Sequence, residues 1–72
     1  MPLTLMKLGE THVIQRLTGP LELRLRLQEL GFVTGVAVTM VGGMGGDMIL
    51  QVLGSRIALG RGMARHIHVS HA

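Results

Sequence analysis

The stretch that most constrains the fold runs from residue 21 to residue 35 and reads LELRLRLQELGFVTG. Its first half alternates apolar and polar residues, which is the pattern of a half-buried strand. Its Leu, Glu, Arg and Gln residues nevertheless favour helices, and no β-branched residue occurs before Val33. Pro20 suits the first helical position, and Gly31 suits the left-handed residue that ends a helix. We therefore predict a short helix in this stretch.

The predicted helix carries more apolar surface than a core contact requires. One face holds the residues expected in the core, Leu23, Leu27 and Leu30. Phe32, the only aromatic residue of the chain, should fold back onto the same core. Leu21 and Leu25 lie on nearly the opposite side, beside Arg24, although a helix in a small domain needs a single apolar stripe. These two leucines therefore either contact a partner or lie under a neighbouring loop.

Length and composition predict one small domain over residues 1–72, near the lower size limit for an unaided hydrophobic core. Hydrophobic residues make up 47% of the chain and charged residues 15%, a balance that excludes intrinsic disorder. The chain has no cysteine, so neither a disulfide nor a thiolate metal site can support the fold.

Five short strands are predicted around the helix, at residues 11–17, 36–41, 48–53, 56–59 and 66–69. In the second strand, Val36, Val38 and Met40 should point inward. The glycine-rich segment 42–47 is expected to be a flexible hairpin tip, and Gly54-Ser55 a two-residue turn. Segment 60–65 has room for about one helical turn. The pattern predicts a mainly β fold, a small and partly open barrel with one short helix between the first two strands.

No group of residues with enzymatic chemistry is visible. The acids Glu10, Glu22, Glu29 and Asp47 lie on separate predicted elements. The glycine-rich segment lacks the Lys-Ser or Lys-Thr pair and the following helix of a phosphate-binding loop. An enzyme needs a nucleophile, an acid–base pair or a metal cluster. We therefore predict a protein that is not an enzyme and has no cofactor.

The C-terminal histidines suggest an alternative, a transition-metal site. His66 and His68 are two residues apart on a predicted strand and so share a face, and His71 follows closely. No carboxylate or thiolate lies nearby to complete such a site. The competing interpretation is a solvated strand edge near the chain end.

Charge and hydropathy bear on partners and location. The net charge is +3, and no acid follows Asp47 while several arginines do, so a nucleic-acid contact is a further hypothesis. Proteins that bind single strands stack bases on aromatic side chains, which this chain lacks apart from Phe32, so no nucleic-acid partner is expected.

The uncharged segment 30–46 is interrupted by glycines and falls short of the ~20 apolar residues of a spanning helix. The N-terminus does not read as a secretory signal, and a cytosolic location is expected.

The assembled motifs resemble the FeoA family of small ferrous-iron-transport accessory proteins. They are LRLRLQELGF at residues 23–32 followed by Gly35, then Gly46-Asp47, LGSRIAL at 53–59, Ala64, and IHV at 67–69. Thr34 stands where the family often has proline, and Gly60 and Gly62 replace an acidic, helix-favouring run. The resemblance implies an SH3-like barrel with an inserted helix, in a cytosolic bacterial or archaeal protein. It also implies a protein that acts together with the membrane ferrous iron transporter FeoB, which has a cytosolic GTP-binding domain.

The resulting hypothesis is a non-enzymatic adaptor that docks on FeoB. Leu21 and Leu25 would form the apolar contact, Arg24 its charged rim, and Met44 a further contact at the hairpin tip. The surplus leucines could also serve homo-oligomerisation. A similar module occurs in iron- and manganese-dependent repressors, so a repressor-type SH3-like domain is the alternative that the resemblance leaves open.

Overall fold

The computed structural model describes residues 1–70. The strands are β1 (Thr11–Leu17), β2 (Ala37–Met44), β3 (Asp47–Val52), β4 (Ser55–Gly60) and β5 (Ile67–Ser70), the helices are α1 (Leu21–Glu29) and α2 (Arg61–Ala64), and a 3₁₀ turn covers Leu3–Leu5. The strands form one antiparallel sheet in the order β4-β3-β2-β1-β5. The predicted mainly β fold with a helix between the first two strands is confirmed. Neither helix within residues 1–70 has the length and apolar character needed to span a bilayer.

Alternate residues of each strand fill the core. The largest fully buried side chains are Phe32, Leu3, Ile14, Leu27, Met48, Leu50, Ile67, Val38, Val52 and Val69. The predicted inward face of β2 is confirmed, since Val38 and Met40 are buried and Val36 packs against the core. Phe32 is also buried as predicted, and it belongs to the same core cluster as Leu27 of α1.

The end of α1 determines which leucines reach the core. Gly31 adopts a φ of 106°, its N–H donates to the Gln28 carbonyl, and the Phe32 N–H donates to the Leu27 carbonyl. This is a Schellman motif, in which Phe32 packs on Leu27. Because Phe32 takes the next place in the core, Leu30 is left 38% exposed and its predicted core position is wrong. The predicted stop at Gly31 is confirmed, whereas Pro20 precedes the first helical residue instead of occupying it.

The glycine-rich segment is less open than predicted. β2 continues to Met44 and β3 begins at Asp47, so the turn contains Gly45 and Gly46 alone. The register shifts between Met40 and Gly42, and pairing then continues along the glycines. The β-rich segment opposite supplies the pairing surface, which overrides the weak strand preference of glycine.

Several other strand ends differ from the predicted ones by one residue. The β3–β4 turn consists of Leu53 and Gly54, with φ of 49° and 78°, instead of Gly54 and Ser55. β5 begins at Ile67, so His66 lies just outside the strand.

Candidate functional site

Two leucines on the outer face of α1 are uncovered. Within α1, Leu27 alone is buried, and Leu23 packs partly against the core. Leu21 is 59% exposed and Leu25 48% exposed, so no loop encloses them. The exposed position of both leucines agrees with the first of the two interpretations above. Their contact with a partner remains a prediction.

A shallow groove of about 460 Å³ lies on this helix, lined by Glu22, Leu25, Arg26, Glu29 and Leu30. The three charged residues recur at helical spacing and alternate in sign, so their side chains can pair along the face. The two leucines supply the apolar part of the lining. At 100° per residue the charged side chains lie between Leu25 and Leu30, so the groove is a mixed surface with apolar margins. Protein–protein contacts combine apolar and charged side chains in this way.

Leu53 extends this surface, and the sequence analysis did not identify it. Its side chain is 69% exposed, and its Cδ1 lies 3.3 Å from the position that a Cβ on Gly31 would occupy. It is also the single non-glycine residue among residues 1–70 with a positive φ. Two-residue turns of this kind favour Asn or Asp before glycine. A leucine directly before Gly54, where a turn favours Asn or Asp, is the signal that the sequence offers. We call the exposed leucines on α1 and at its end, Leu21, Leu25, Leu30 and Leu53, the α1 surface.

Arg24 and Met44 lie differently from the leucines. The Arg24 Nε donates to the Gly19 carbonyl at 3.1 Å, so its guanidinium contacts the segment that precedes α1. Met44 is 79% exposed, but it lies at the end of β2 opposite Asp47, whereas Leu53 follows the other end of β3. The length of β3 separates the two by roughly 20 Å. The structure therefore does not bring Met44 to the α1 surface.

The candidate histidines do not form a ligand set in the described part of the chain. The His66 Nδ1 lies 3.2 Å from the Thr18 Oγ1, and the Thr18 hydroxyl is also 3.3 Å from the His66 carbonyl. His68 pairs with Arg16 across β1 and β5. Among residues 1–70, His, Asp and Glu side chains nowhere gather in threes suited to a metal ion. His71 lies outside the described residues.

The surroundings of His68 are cationic. Partial burial, and then the nearby charges of Arg16, the N-terminal ammonium and His66, lower the pKa of His68 below its ordinary value. A low pKa keeps the imidazole neutral, as metal binding requires, but the same positive charges oppose the approach of a cation.

A fourth histidine, His12, has a structural position that the sequence analysis did not address. It is buried, with Nδ1 2.7 Å from the Ser70 carbonyl and Nε2 3.5 Å from Glu10 Oε1. The Glu10 carboxylate accepts the Lys7 N–H at 2.8 Å, and this bond, followed by the contact with His12, lowers the pKa of Glu10. These contacts join β1 to β5 and to the N-terminal segment.

Comparison with known proteins agrees with this description. Residues 1–71 match the FeoA domain family. The chain is a FeoA family member. A relative from Methanocaldococcus jannaschii, named as an Fe(2+) transport protein A, is 31% identical over 71 residues, which cover 99% of this chain and 87% of the relative.

Solved structures show the same fold. The zinc-complexed FeoA of Stenotrophomonas maltophilia, described as an SH3 domain protein, is 33% identical, with a TM-score of 0.82 over 97% of this chain and 89% of that one. The SH3-like architecture implied by the resemblance is therefore confirmed. A manganese-dependent transcriptional repressor has a TM-score of 0.90 over all of this chain and 41% of its own, but at 15% identity it shows a likeness of fold alone.

Proposed function

We propose that this FeoA family member is a non-enzymatic, cytosolic accessory protein of ferrous iron uptake, and that its α1 surface docks on the cytosolic GTP-binding region of FeoB. The single observation that carries the proposal is the exposure of Leu21 and Leu25 on a helix that already has its core contact in Leu27. The name of the M. jannaschii relative supports the link to Fe²⁺ transport.

The chemistry of the surface suits docking better than catalysis. Burying a leucine side chain contributes about 1.5–3 kcal/mol. Leu25 and Leu30 line one groove, so a single partner can cover both. The charged residues Glu22, Arg26 and Glu29 can then set the orientation of the partner. The acids Glu22 and Glu29 lie on this exposed helix, and neither makes a hydrogen bond or ion pair within residues 1–70.

A calorimetric titration with the purified cytosolic region of FeoB tests the proposal. Leu25→Glu replaces an exposed apolar side chain of the groove with a charge and should weaken binding at least tenfold, about 1.4 kcal/mol. Leu8→Glu is the matched control, because Leu8 is 72% exposed and lies in the N-terminal segment outside the α1 surface. Leu8→Glu should bind like the native chain. Equal binding by the native chain and Leu25→Glu would refute the assignment.

A metal-responsive role for His66, His68 and His71 is the second candidate, supported by the zinc complex of the S. maltophilia relative. Its test is an anaerobic titration with Fe²⁺ and a parallel one with Zn²⁺. If these histidines bind metal, the affinity should fall in the His66→Ala/His68→Ala variant. An unchanged affinity would place any metal elsewhere.

A further inference from the structure

The two edge strands of the sheet differ in whether another segment of the chain pairs with them. At the β5 edge, the Val69 N–H donates to the Met1 carbonyl and the N-terminal ammonium donates to the Val69 carbonyl, both at 2.8 Å. Pro2 forms a bridge with His68 on the same strand. The β5 edge is thus covered by the beginning of the chain. Within residues 1–70, β4 pairs with β3 alone.

The outward-facing groups of β4 follow from the hairpin geometry. A two-residue turn makes its flanking residues, Val52 and Ser55, a hydrogen-bonded pair, and the pattern then alternates along the strand. Arg56, Ala58 and Gly60 therefore direct their main-chain groups away from β3. The Arg61 N–H donates to the Gly46 carbonyl, which confirms this alternation at the far end.

β4 carries little that discourages pairing with another strand, since Arg56 is its single charged residue and it contains no proline. Proteins protect sheet edges with Pro, Lys, bulges or covering segments. β4 reads SRIALG, and its six pairs with β3 run without a register shift. Within residues 1–70, no main-chain hydrogen bond from outside the β3–β4 pair reaches Arg56 or Ala58. Gly60 is the N-cap of α2, so its carbonyl accepts a hydrogen bond within the first turn of that helix. Of the main-chain groups of Gly60, the N–H is therefore the one left to donate to a neighbouring strand.

We propose that β4 pairs antiparallel with β4 of a second copy of this chain, about a two-fold axis at Ala58. In this register Ala58 exchanges both main-chain bonds with its copy, and the Gly60 N–H donates to the Arg56 carbonyl of the second copy at each end. Ala58 is small and exposed, so the strands can approach without a side-chain clash at the axis.

Charge complementarity selects a second copy over an unrelated peptide. Asp47 pairs with Gly60 across β3 and β4, and its Oδ1 lies 3.6 Å from the position of a Gly60 Cβ. Arg56 of the second copy would lie directly beyond Gly60 on the same face, about 10 Å from Asp47 between Cα atoms. Because Gly60 has no side chain, the guanidinium can reach across it to the carboxylate. Two-fold symmetry repeats this ion pair at the other end.

Sedimentation equilibrium from roughly 10 μM to 1 mM, together with charge-swap variants, tests the proposal. We expect a concentration-dependent dimer of the native chain. Arg56→Asp and Asp47→Arg should each weaken it about tenfold, because each turns both attractive pairs into repulsive ones. The double variant Asp47→Arg/Arg56→Asp should regain native affinity. Arg26→Glu, on the α1 surface groove, is the control and should dimerise normally.

Amide hydrogen exchange provides a second measurement that does not depend on the variants. The Ala58 and Gly60 amides should exchange rapidly in dilute protein and become protected as the dimer forms. A chain that stays monomeric at 1 mM, with these amides exchanging freely, would overturn the proposal. The free β4 edge would then be a site for an extended peptide of another protein. A dimer that Arg26→Glu dissociates and the charge swap does not affect would also overturn the proposal.

Discussion

Leu53 and Gly31 meet where the β3–β4 hairpin touches the end of α1, with the Leu53 Cδ1 3.3 Å from the position of a Gly31 Cβ. The contact joins the strained turn to the Schellman motif that ends the helix. It places the β3–β4 hairpin beside the end of α1, next to the exposed side chain of Leu30.

Gly31→Ala should destabilise the fold by about 1–2 kcal/mol, because an L residue at a φ of 106° is strained and its Cβ would displace Leu53. Urea unfolding measures the change. Gly62→Ala is the matched control, since a Cβ there meets nothing within 4 Å and lies in α2, where alanine is favoured by up to about 1 kcal/mol. Equal effects of the two substitutions would contradict the role given to Gly31.

Leu53→Asn should stabilise the hairpin by about 0.5–1 kcal/mol, because Asn accepts a positive φ more readily than Leu. The same change removes an exposed apolar side chain from the α1 surface and should weaken binding to the FeoB cytosolic region. Thermal unfolding and a binding titration on one preparation measure both effects. A variant that binds normally would exclude Leu53 from the contact.

Glu10→Gln should lower the melting temperature at pH 7 and have no effect in strong acid. The Lys7 N–H, and then His12, lower the pKa of Glu10 in the folded chain. The stabilisation is therefore complete above the ordinary value of 4.5 and is lost as the pH falls through the lowered folded value. Glu29→Gln is the matched control, because its carboxylate makes no hydrogen bond within residues 1–70.

His68→Gln should make stability less sensitive to mild acid. Since the pKa of His68 is lowered in the folded chain, the unfolded chain binds more protons as the pH falls below the ordinary value of 6.5. Protonation therefore favours unfolding in that range, and the substitution removes this contribution. Unfolding free energies at pH 7.5, 6.5 and 5.5 test the slope. An unchanged slope would show that His68 does not contribute.

Local signals predicted much of the fold. The predicted bounds of β1, Thr11–Leu17, are confirmed, because its β-branched residues are followed by a Gly-Pro pair. The left-handed Gly31 after the end of α1 is confirmed as well. Leu30 was misplaced because the position of Phe32 in the core depends on a main-chain motif beyond the helix. The pairing of Gly42 and Gly43 depends on the opposite strand, which one segment of sequence does not specify.

The candidate site was predicted in part. Leu21 and Leu25 could be identified from helical periodicity, since a second apolar stripe is visible without knowledge of the tertiary structure. Leu53 joins them through a contact between segments more than twenty residues apart. The sequence predicts Met44 as a further partner contact because it lies in a glycine-rich segment. The register of β2 with β3 shows that Met44 is distant from Leu53.

The most direct test of the central claim is an NMR titration of the ¹⁵N-labelled chain with the cytosolic GTP-binding region of FeoB. The account predicts that the largest amide shifts fall on α1 and on Leu53 and Gly54, with β1 and β5 little affected. Shifts concentrated at the N-terminal segment around Leu5 and Leu8, with α1 unchanged, would contradict it.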